Sequence, residues 1–543
     1  MRYLLMLICT ITIIYSGKLL PQNSDGISID TAWVRHFTSG GRATAIAVDA
    51  SGNAYITGTG TGSGSWSDYI TVKYNTEGVV QWVAHYDGMG HLDDWAEDLA
   101  LDSFGNVYVT GWSEGSDPGC DYATVKYNPD GIEQWSARYN GPGNSQDYAE
   151  ALMVDGNGNI FVTGRSEGSS TSTDFATVKY DSQGVEQWVA RYNGPGNYGD
   201  GAMALKMDTN GNVCVTGWSV GSGTESDYAT VKYNSEGVEQ WVARYNGPGN
   251  SQDYTEALAV DDFGNVYVTG ASWGSDMSFD YATVKYNSQG VEQWVARYTG
   301  SNYSDDMATD LAVDASGNVY VTGGTGSAYA TVKYNSEGAQ QWVAYYSGPP
   351  DSIIILATFA RDLAMDAQDN IYVTGASWGS GSLPDYATVK YNSEGVEQWV
   401  ARYDMGDDRA EALALDSSGN VYVTGMSMLG SSHSDYTTIK YVQTLVTIKK
   451  KIDNRPTHYR LSQNYPNPFN PTTNIEFSIP RTGLVTLQIY NTLGEKVTTL
   501  VSEKLSAGRY RYQWDGSGLA SGMYIYELQA GNFSQTCKML LMR

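Results

Sequence analysis

Three phrases recur in fixed order along this chain, and that repetition restricts the fold more than any other feature. GNVYVTG-like segments start at Gly52, Gly105, Gly158, Gly211, Gly264, Gly317, Asp369 and Gly419. DYATVKYN-like segments start at Asp68, Asp121, Asp174, Asp227, Asp280, Ala328, Asp385 and Asp435. VEQWVARY-like segments carry Trp33, Trp82, Trp135, Trp188, Trp241, Trp294, Trp342 and Trp399. Most neighbouring copies lie 53 residues apart, a period that belongs to a solenoid, a propeller or an array.

Each unit reads as four strands. Between 149 and 192, AEALMVD, NIFVTG, DFATVKY and VEQWVARY are rich in β-branched and aromatic residues and are separated by turn residues. D-x-x-G-N joins the first two and N-x-x-G or D-x-x-G the last two, with glycine supplying the positive φ of a tight connection. No segment sustains a 3.6-residue apolar period, so the expected class is all-β. Four strands in about 50 residues fit a propeller blade, whereas a β-helix coil needs far fewer residues per turn. Blades have neighbours on both faces, which explains apolar residues at odd and even positions alike.

The chain enters the repeats with a fourth-strand phrase, TAWVRHF at 31–37, and leaves them with a third-strand phrase, DYTTIKY at 435–441. The leftover pieces are complementary. Pairing them removes an exposed edge and predicts an eight-bladed β-propeller over 27–442, closed by its N-terminal strand.

These phrases resemble the bacterial SBBP-type β-propeller repeats, marked by GNxYVTG, a YxTxKY-like strand and a Gln-Trp strand. The resemblance implies an exported propeller and no particular activity, since one fold hosts many functions. After a linker at 443–460, NYPNPFNPTTNIEFSIP (464–480), IYNTLGEKV (489–497) and LASGMYIYEL (519–528) resemble the type A C-terminal sorting domain of the type IX secretion system. That resemblance covers 461–543 and implies secretion machinery as a partner and an extracellular or cell-surface destination. From the residues alone, the same stretch reads as a small Ig-like β-sandwich. Pro466, Pro468 and Pro471 hold an extended start, and the alternating runs LVTLQIY and MYIYELQ follow.

The N-terminus agrees with export. Arg2 and the apolar run Leu4–Ile14 read as a signal peptide over 1–22, too short to span a bilayer. No later apolar stretch reaches 18 residues, so no transmembrane segment is expected in the mature chain. The formal net charge of −27 repels nucleic acid and anionic lipid, and the one basic run, Lys449–Lys451, falls in the linker. Cys120, Cys214 and Cys537 lack the spacing of a disulfide framework or a zinc site.

No H-E-x-x-H or phosphate-cradling loop occurs, and G-x-S-x-G spacing appears as part of the repeat, as at Gly111–Gly115 and Gly164–Gly168. His36 and His85 stand where Arg138, Arg191, Arg244, Arg297 and Arg402 stand in other units, which makes them repeat variants. Asp94, Asp147, Asp200, Asp253, Asp306 and Asp408 recur in register and read as hydrogen-bond acceptors at the start of each unit. Asp155-Gly-Asn157-Gly-Asn159 starts like a calcium loop, but Ser166 stands where a bidentate Glu belongs. A turn is favoured there and calcium stays open; no other cofactor is indicated. Lys126 and Lys179, seven residues before Glu133 and Glu186, are expected to face them across the hairpin.

The loops between second and third strands, and those between units, lie on the face opposite the tight turns. They carry extra tryptophans, Trp66, Trp112, Trp218, Trp273 and Trp378, which either pack between blades or form a ligand-binding rim for sugar rings or a protein partner. One sector is irregular. The sixth unit has only four residues, 324–327, before its third strand, and an insertion with Pro349, Pro350 and the apolar run Ile353–Leu356 follows. It is expected to fold over the space left by the short loop. Three functions fit: a non-catalytic binding or interaction module for glycan or protein, a secreted polysaccharide-active enzyme using acidic residues on the loop-rich face, and a structural surface-layer component. Non-repeated carboxylates clustered at the channel mouth would favour the enzyme, and a tryptophan-lined groove would favour sugar binding.

Overall fold

The computed structural model describes residues 27–38, 40–61, 66–115, 119–300, 304–349, 358–378, 383–428, 434–445, 447–451, 456 and 458–542. The expected signal peptide and the apolar run Ile353–Leu356 lie outside them.

Within 27–445 the chain forms eight four-stranded antiparallel sheets and no helix among the described residues. Sheets 1 to 7 are each built from consecutive strands, spanning 42–86, 94–139, 147–192, 200–245, 253–298, 306–346 and 359–403. Sheet 8 combines Asp407–Leu415, Val421–Met428 and Ser434–Leu445 with Ile27–Phe37, which pairs antiparallel to Ser434–Leu445. The first strand of each sheet touches the first strand of the next, and Asp407–Leu415 touches Arg42–Val48. First strands therefore surround the middle of a β-propeller, and fourth strands lie outermost.

The second and third strands carry the core because both their faces are covered by adjoining sheets. Val215, Val231, Tyr228 and Ala229 are wholly buried. Each fully buried apolar side chain of this kind contributes about 1.5–3 kcal/mol. Seams between sheets are stitched polar as well: Trp188 Nε1 donates to Ser235 O (3.1 Å) and Trp241 Nε1 to Ser288 O (3.1 Å). Gly237, at φ +78°, lies under Trp188, and a Cβ there would fall 2.6 Å from the indole, so both backbone and space require glycine.

Two expectations are corrected. Lys126 faces Trp135, and Lys179 faces Trp188, because the strand pairing slips by one residue next to each lysine. The bulge moves Glu133 and Glu186 opposite Tyr127 and Tyr180. Lys126 Nζ instead lies 5.0 Å from the Tyr108 ring centre and donates to Ser182 O. The expected linker also holds regular structure: the last strand of sheet 8 runs to Leu445, and Thr447–Lys451 pairs with Gly508–Asp515.

The C-terminal residues form two further four-stranded sheets that enclose one core, including Phe477, Leu487, Tyr512, Trp514 and Leu528. Alternating exposure along Thr472–Ile479 and Gly508–Asp515 follows from the two-residue period of a half-covered strand. Cys120, Cys214 and Cys537 are free thiols.

Candidate functional site

The site begins with a defect shared by all eight sheets. Between first and second strands the register slips by one residue, leaving Thr44, Glu97, Glu150, Met203, Glu256, Thr309, Arg361 and Glu411 without a partner. A bulge re-aims the side chain of the extra residue. Here it turns toward the adjoining first strand: Thr44 Oγ1 donates to Ala96 O (3.0 Å) and Thr309 Oγ1 to Ala360 O (3.3 Å). Four of the eight bulge positions are glutamates on the innermost strands.

Arginines interleave with them. Arg165 Nε lies 4.0 Å from Glu150 and Arg361 Nε 3.6 Å from Glu411. Burial pushes the Glu97 carboxyl up to about 7, reinforced by the charge of Glu150 and opposed by Arg42 and Arg165. Burial also raises Glu256 to about 7, against the pull of Arg361. Glu150 and Glu411 rise for the same first reason, burial.

The residue after the bulge is alanine in five sheets and aspartate in three: Asp98, Asp310 and Asp362. Each aspartate accepts the next N–H of its own strand and an N–H of the following sheet. Asp98 binds Leu99 (2.8 Å) and Leu152 (2.9 Å), and Asp310 binds Leu311 (2.8 Å) and Leu363 (2.9 Å). Asp362 also takes the Leu363 N–H (2.8 Å), together with that of Leu413 (2.6 Å). One amide shared by two carboxylates puts them side by side, and burial plus the charge of Asp310 drives the Asp362 pKa well up. Burial raises the Asp310 carboxyl as well.

Two chains of aromatic contacts involve first-strand and second-strand ends in sheets 1 to 5. Arg42 Cζ lies 5.8 Å from the Trp95 ring centre, Trp95 stacks on Trp112 (5.7 Å, 7°), Trp112 meets the Tyr148 edge (5.5 Å), and Arg165 covers Tyr148 (4.5 Å). A second chain runs Trp218–Tyr254 (6.4 Å), Tyr254–Phe279 (6.2 Å) and Phe279–Trp273 (4.8 Å). Trp218 lies over Gly201, where a Cβ would fall 2.9 Å from the indole. Of the tryptophans singled out from sequence, Trp112 thus joins the first chain, and Trp218 and Trp273 are linked within the second. Trp66 is 48% exposed, and Trp378 ends the second strand of sheet 7. They do not form one groove. Trp112 packs against Trp95 of its own sheet and Tyr148 of the next.

Trp95, Tyr148, Tyr254 and the bulge glutamates went unnoticed in the sequence. Their signal was variation at fixed offsets inside otherwise constant first strands. The recurring Asp94 series behaves as acceptors: Asp147 takes the N–H groups of Gly141 (2.7 Å) and Glu167 (3.0 Å). At the possible calcium loop, Asp155 is engaged by Asn157 N–H (2.8 Å), Asn159 N–H (2.8 Å) and the Asn159 amide (2.7 Å), a turn that uses both carboxylate oxygens.

Family comparisons agree with this architecture. A beta-propeller repeat family, SBBP, matches residues 88–117, 134–175, 240–276 and 293–328, and a secretion system C-terminal sorting domain family matches 463–542. The chain is an SBBP-type β-propeller repeat protein with a type IX sorting domain. No curated protein matches this repeat protein. Among solved structures it is similar to the calcium-binding protein regucalcin of Agrobacterium tumefaciens strain C58, with 12% identity, 54% of this chain and 90% of that chain covered, and a TM-score of 0.30. It is also similar to an α-L-arabinofuranosidase of Fusarium graminearum (10%, 63% and 91%, 0.32). A Bacteroides thetaiotaomicron protein of unknown function is similar too (11%, 69% and 94%, 0.31). Likenesses this distant say nothing of what the SBBP-type protein binds. Its sorting domain marks it as secreted or held at the outer surface, and no helix among its described residues is long and apolar enough to cross a membrane.

Proposed function

We propose that this protein is an eight-bladed propeller, closed by 27–37 and followed by an Ig-like sorting domain, that acts outside the cell as a non-catalytic binding module for a glycan or a protein. In this reading a signal peptide at 1–22 and the domain at 461–543 deliver the propeller at 27–442, and 443–460 links the two. The observation that carries it is the aromatic chain Trp95–Trp112–Tyr148, flanked by Arg42 and Arg165, in the same sheets as the bulge carboxylates Glu97 and Glu150. Aromatic edges pack against sugar rings or apolar side chains, while Glu97, Glu150, Arg42 and Arg165 offer charged hydrogen bonds beside them. Trp66, Trp112, Trp218, Trp273 and Trp378 are proposed as the rim of this site.

A screen of neutral, acidic and amino-sugar polymers against the mature protein tests it. Binding that falls at least about tenfold in Trp95→Ala or Glu150→Gln, with folding intact, supports the site. Retention of all binding by both variants sinks it.

The polysaccharide-active enzyme is favoured by one observation, the unequal environments of neighbouring carboxyls. Glu97 is held up at about 7 while Glu150 has Arg165 beside it, and separated carboxyls of this kind can act as acid and base. Release of reducing ends from a bound polymer, abolished by Glu97→Gln, would establish that reading over simple binding.

A further inference from the structure

The seams between sheets share one charge arrangement, and one seam departs from it. In sheets 2, 3, 4, 5 and 7 an outer-strand arginine neutralises the aspartate that starts the third strand. The pairs are Arg138–Asp121 (2.8 Å), Arg191–Asp174 (2.8 Å), Arg244–Asp227 (2.8 Å), Arg297–Asp280 (2.6 Å) and Arg402–Asp385. In sheet 1 that arginine is His85, and the aspartate is Asp68. Asp68 is 6% exposed, and among the described residues its carboxylate has neither a hydrogen bond nor an ion pair. The position just after the outer strand is Asn140, Asn193 or Asn246 in sheets 2 to 4, but Asp87 in sheet 1. The seam between sheets 1 and 2 has therefore lost a cation and gained an anion.

The third member is Asp94, wholly buried at the start of sheet 2. Its Oδ2 accepts the Gly88 N–H (2.7 Å), and Ser113 lies beside the carboxylate. Its Oδ1 has no hydrogen-bond partner of good geometry. The counterparts Asp147, Asp200 and Asp253 each receive a backbone N–H there, from Glu167, Val220 and Trp273, whereas the equivalent Glu114 N–H goes to Asp93 O (3.0 Å). Oxygens of Asp68, Asp87 and Asp94 lie within 4.8 Å of one another. Beside them opens a cleft of about 500 Å³ lined by His85, Asp87, His91, Glu133 and Arg138.

We infer that Asp68, Asp87 and Asp94 form a binding site for one divalent cation at the seam of sheets 1 and 2. Three carboxylates supply the hard oxygen donors that calcium takes, and the cleft leaves room for water to complete its shell. Exposed His91, whose Nδ1 is 2.7 Å from Asp87, shares that carboxylate with the ion or gives way to it. The facing groups on the adjoining sheet are Arg138 and Glu133. Arg138 is already committed to Asp121 and Ser113.

The molecule contains its own control. Asp385, Asp404 and Asp408 are similarly gathered between sheets 7 and 8, but Arg402 sits on Asp385. Asp408 Oδ2 accepts two backbone N–H groups, from Met405 (2.6 Å) and Gly406 (3.0 Å). An internal cation occupies that cluster.

Titration calorimetry of the chelator-stripped mature protein with calcium chloride, with magnesium and manganese chloride in parallel, tests the inference. One ion per chain is expected, with an upward shift in melting temperature at saturation. His85→Arg and Asp87→Asn install residues that other sheets already carry, so both should fold. Each is expected to weaken binding by at least about tenfold, the first by supplying the seam's missing cation and the second by removing a charged ligand. Asp404→Asn should bind as the parent does. Absence of binding at millimolar calcium, undiminished binding in both His85→Arg and Asp87→Asn, or loss in Asp404→Asn alone would each overturn it.

Discussion

Sheets 4 and 8 are chemically alike and topologically opposite. In sheet 4 the outer strand Glu239–Tyr245 follows its partner after a tight turn, so Lys232 and Trp241 meet across nine residues of chain. In sheet 8 the same place is taken by Ile27–Phe37, and Trp33 meets Lys440. Contacts to the next sheet are reproduced all the same: Trp33 Nε1 donates to Thr76 O (3.1 Å), as Trp241 Nε1 does to Ser288 O (3.1 Å). The difference teaches that the packing chemistry of a seam is independent of chain order, while its entropy is not. Bringing the chain's ends together costs more than closing a hairpin, though only logarithmically more. Sheet 8 offsets this with length. Its outer strand has 11 residues against 7, and the added pairs Ile27–Leu445 to Asp30–Val442 bury Ile29.

Removing residues 27–37 should break the comparison most severely. It strips the partner from Ser434–Leu445 and exposes Trp33's cleft and an unpaired edge. A loss of about 5 kcal/mol or more is expected, from two buried apolar side chains at about 1.5–3 kcal/mol each and the ladder bonds. Aggregation or a sharply lower melting temperature would show it, and an unchanged melt would mean the strand contributes nothing. Next in size, Trp33→Ala should cost about 3 kcal/mol. Trp241→Ala should cost less, because Trp33 is 7% exposed and Trp241 is only partly buried. Denaturant titration of both variants measures the difference, and equal losses would make the two seams energetically equivalent.

A smaller effect concerns acid. Where sheet 4 has Arg244, sheet 8 has His36, bonded to Thr437 Oγ1 (2.9 Å) and Tyr403 (3.0 Å). Burial lowers its pKa below the ordinary value of 6.5. The unfolded chain therefore takes up this proton first as pH falls, so the seam's contribution is complete above 6.5 and is lost as pH drops through the folded value. Hydrogen exchange, corrected for intrinsic rate, should show opening at Arg35–Phe37 between pH 7.5 and 5 but none at Ala243–Tyr245. His36→Gln should abolish that dependence. The opposite sign holds on the innermost strands. Glu97 and Glu256 stay protonated in the fold up to about 7, so their contribution diminishes as pH rises from the carboxylate range toward 7. Melting temperature is expected to rise on acidifying from pH 8 to 6, the double variant Glu97→Gln/Glu256→Gln should flatten that rise, and persistence of the slope would place its origin elsewhere.

The amino-acid pattern alone determined the all-β class, the repeated four-strand units, the pairing of 31–37 with 435–441 and the C-terminal strands, because each rests on local periodicity and turn chemistry. Tertiary structure decided what those strands present. Register slips beside Lys126 and at Glu97 depend on how curved strands fit their neighbours, which no spacing rule reports, and they moved Glu133 away from its expected partner while turning Glu97, Glu150, Glu256 and Glu411 inward. The sequence left Trp112 either packed between blades or part of a rim; Trp95 and Tyr148, brought in from first strands, pack against it. Asp68, Asp87 and Asp94 belong to two different repeats, and only the packing of one sheet on the next makes their missing arginine matter.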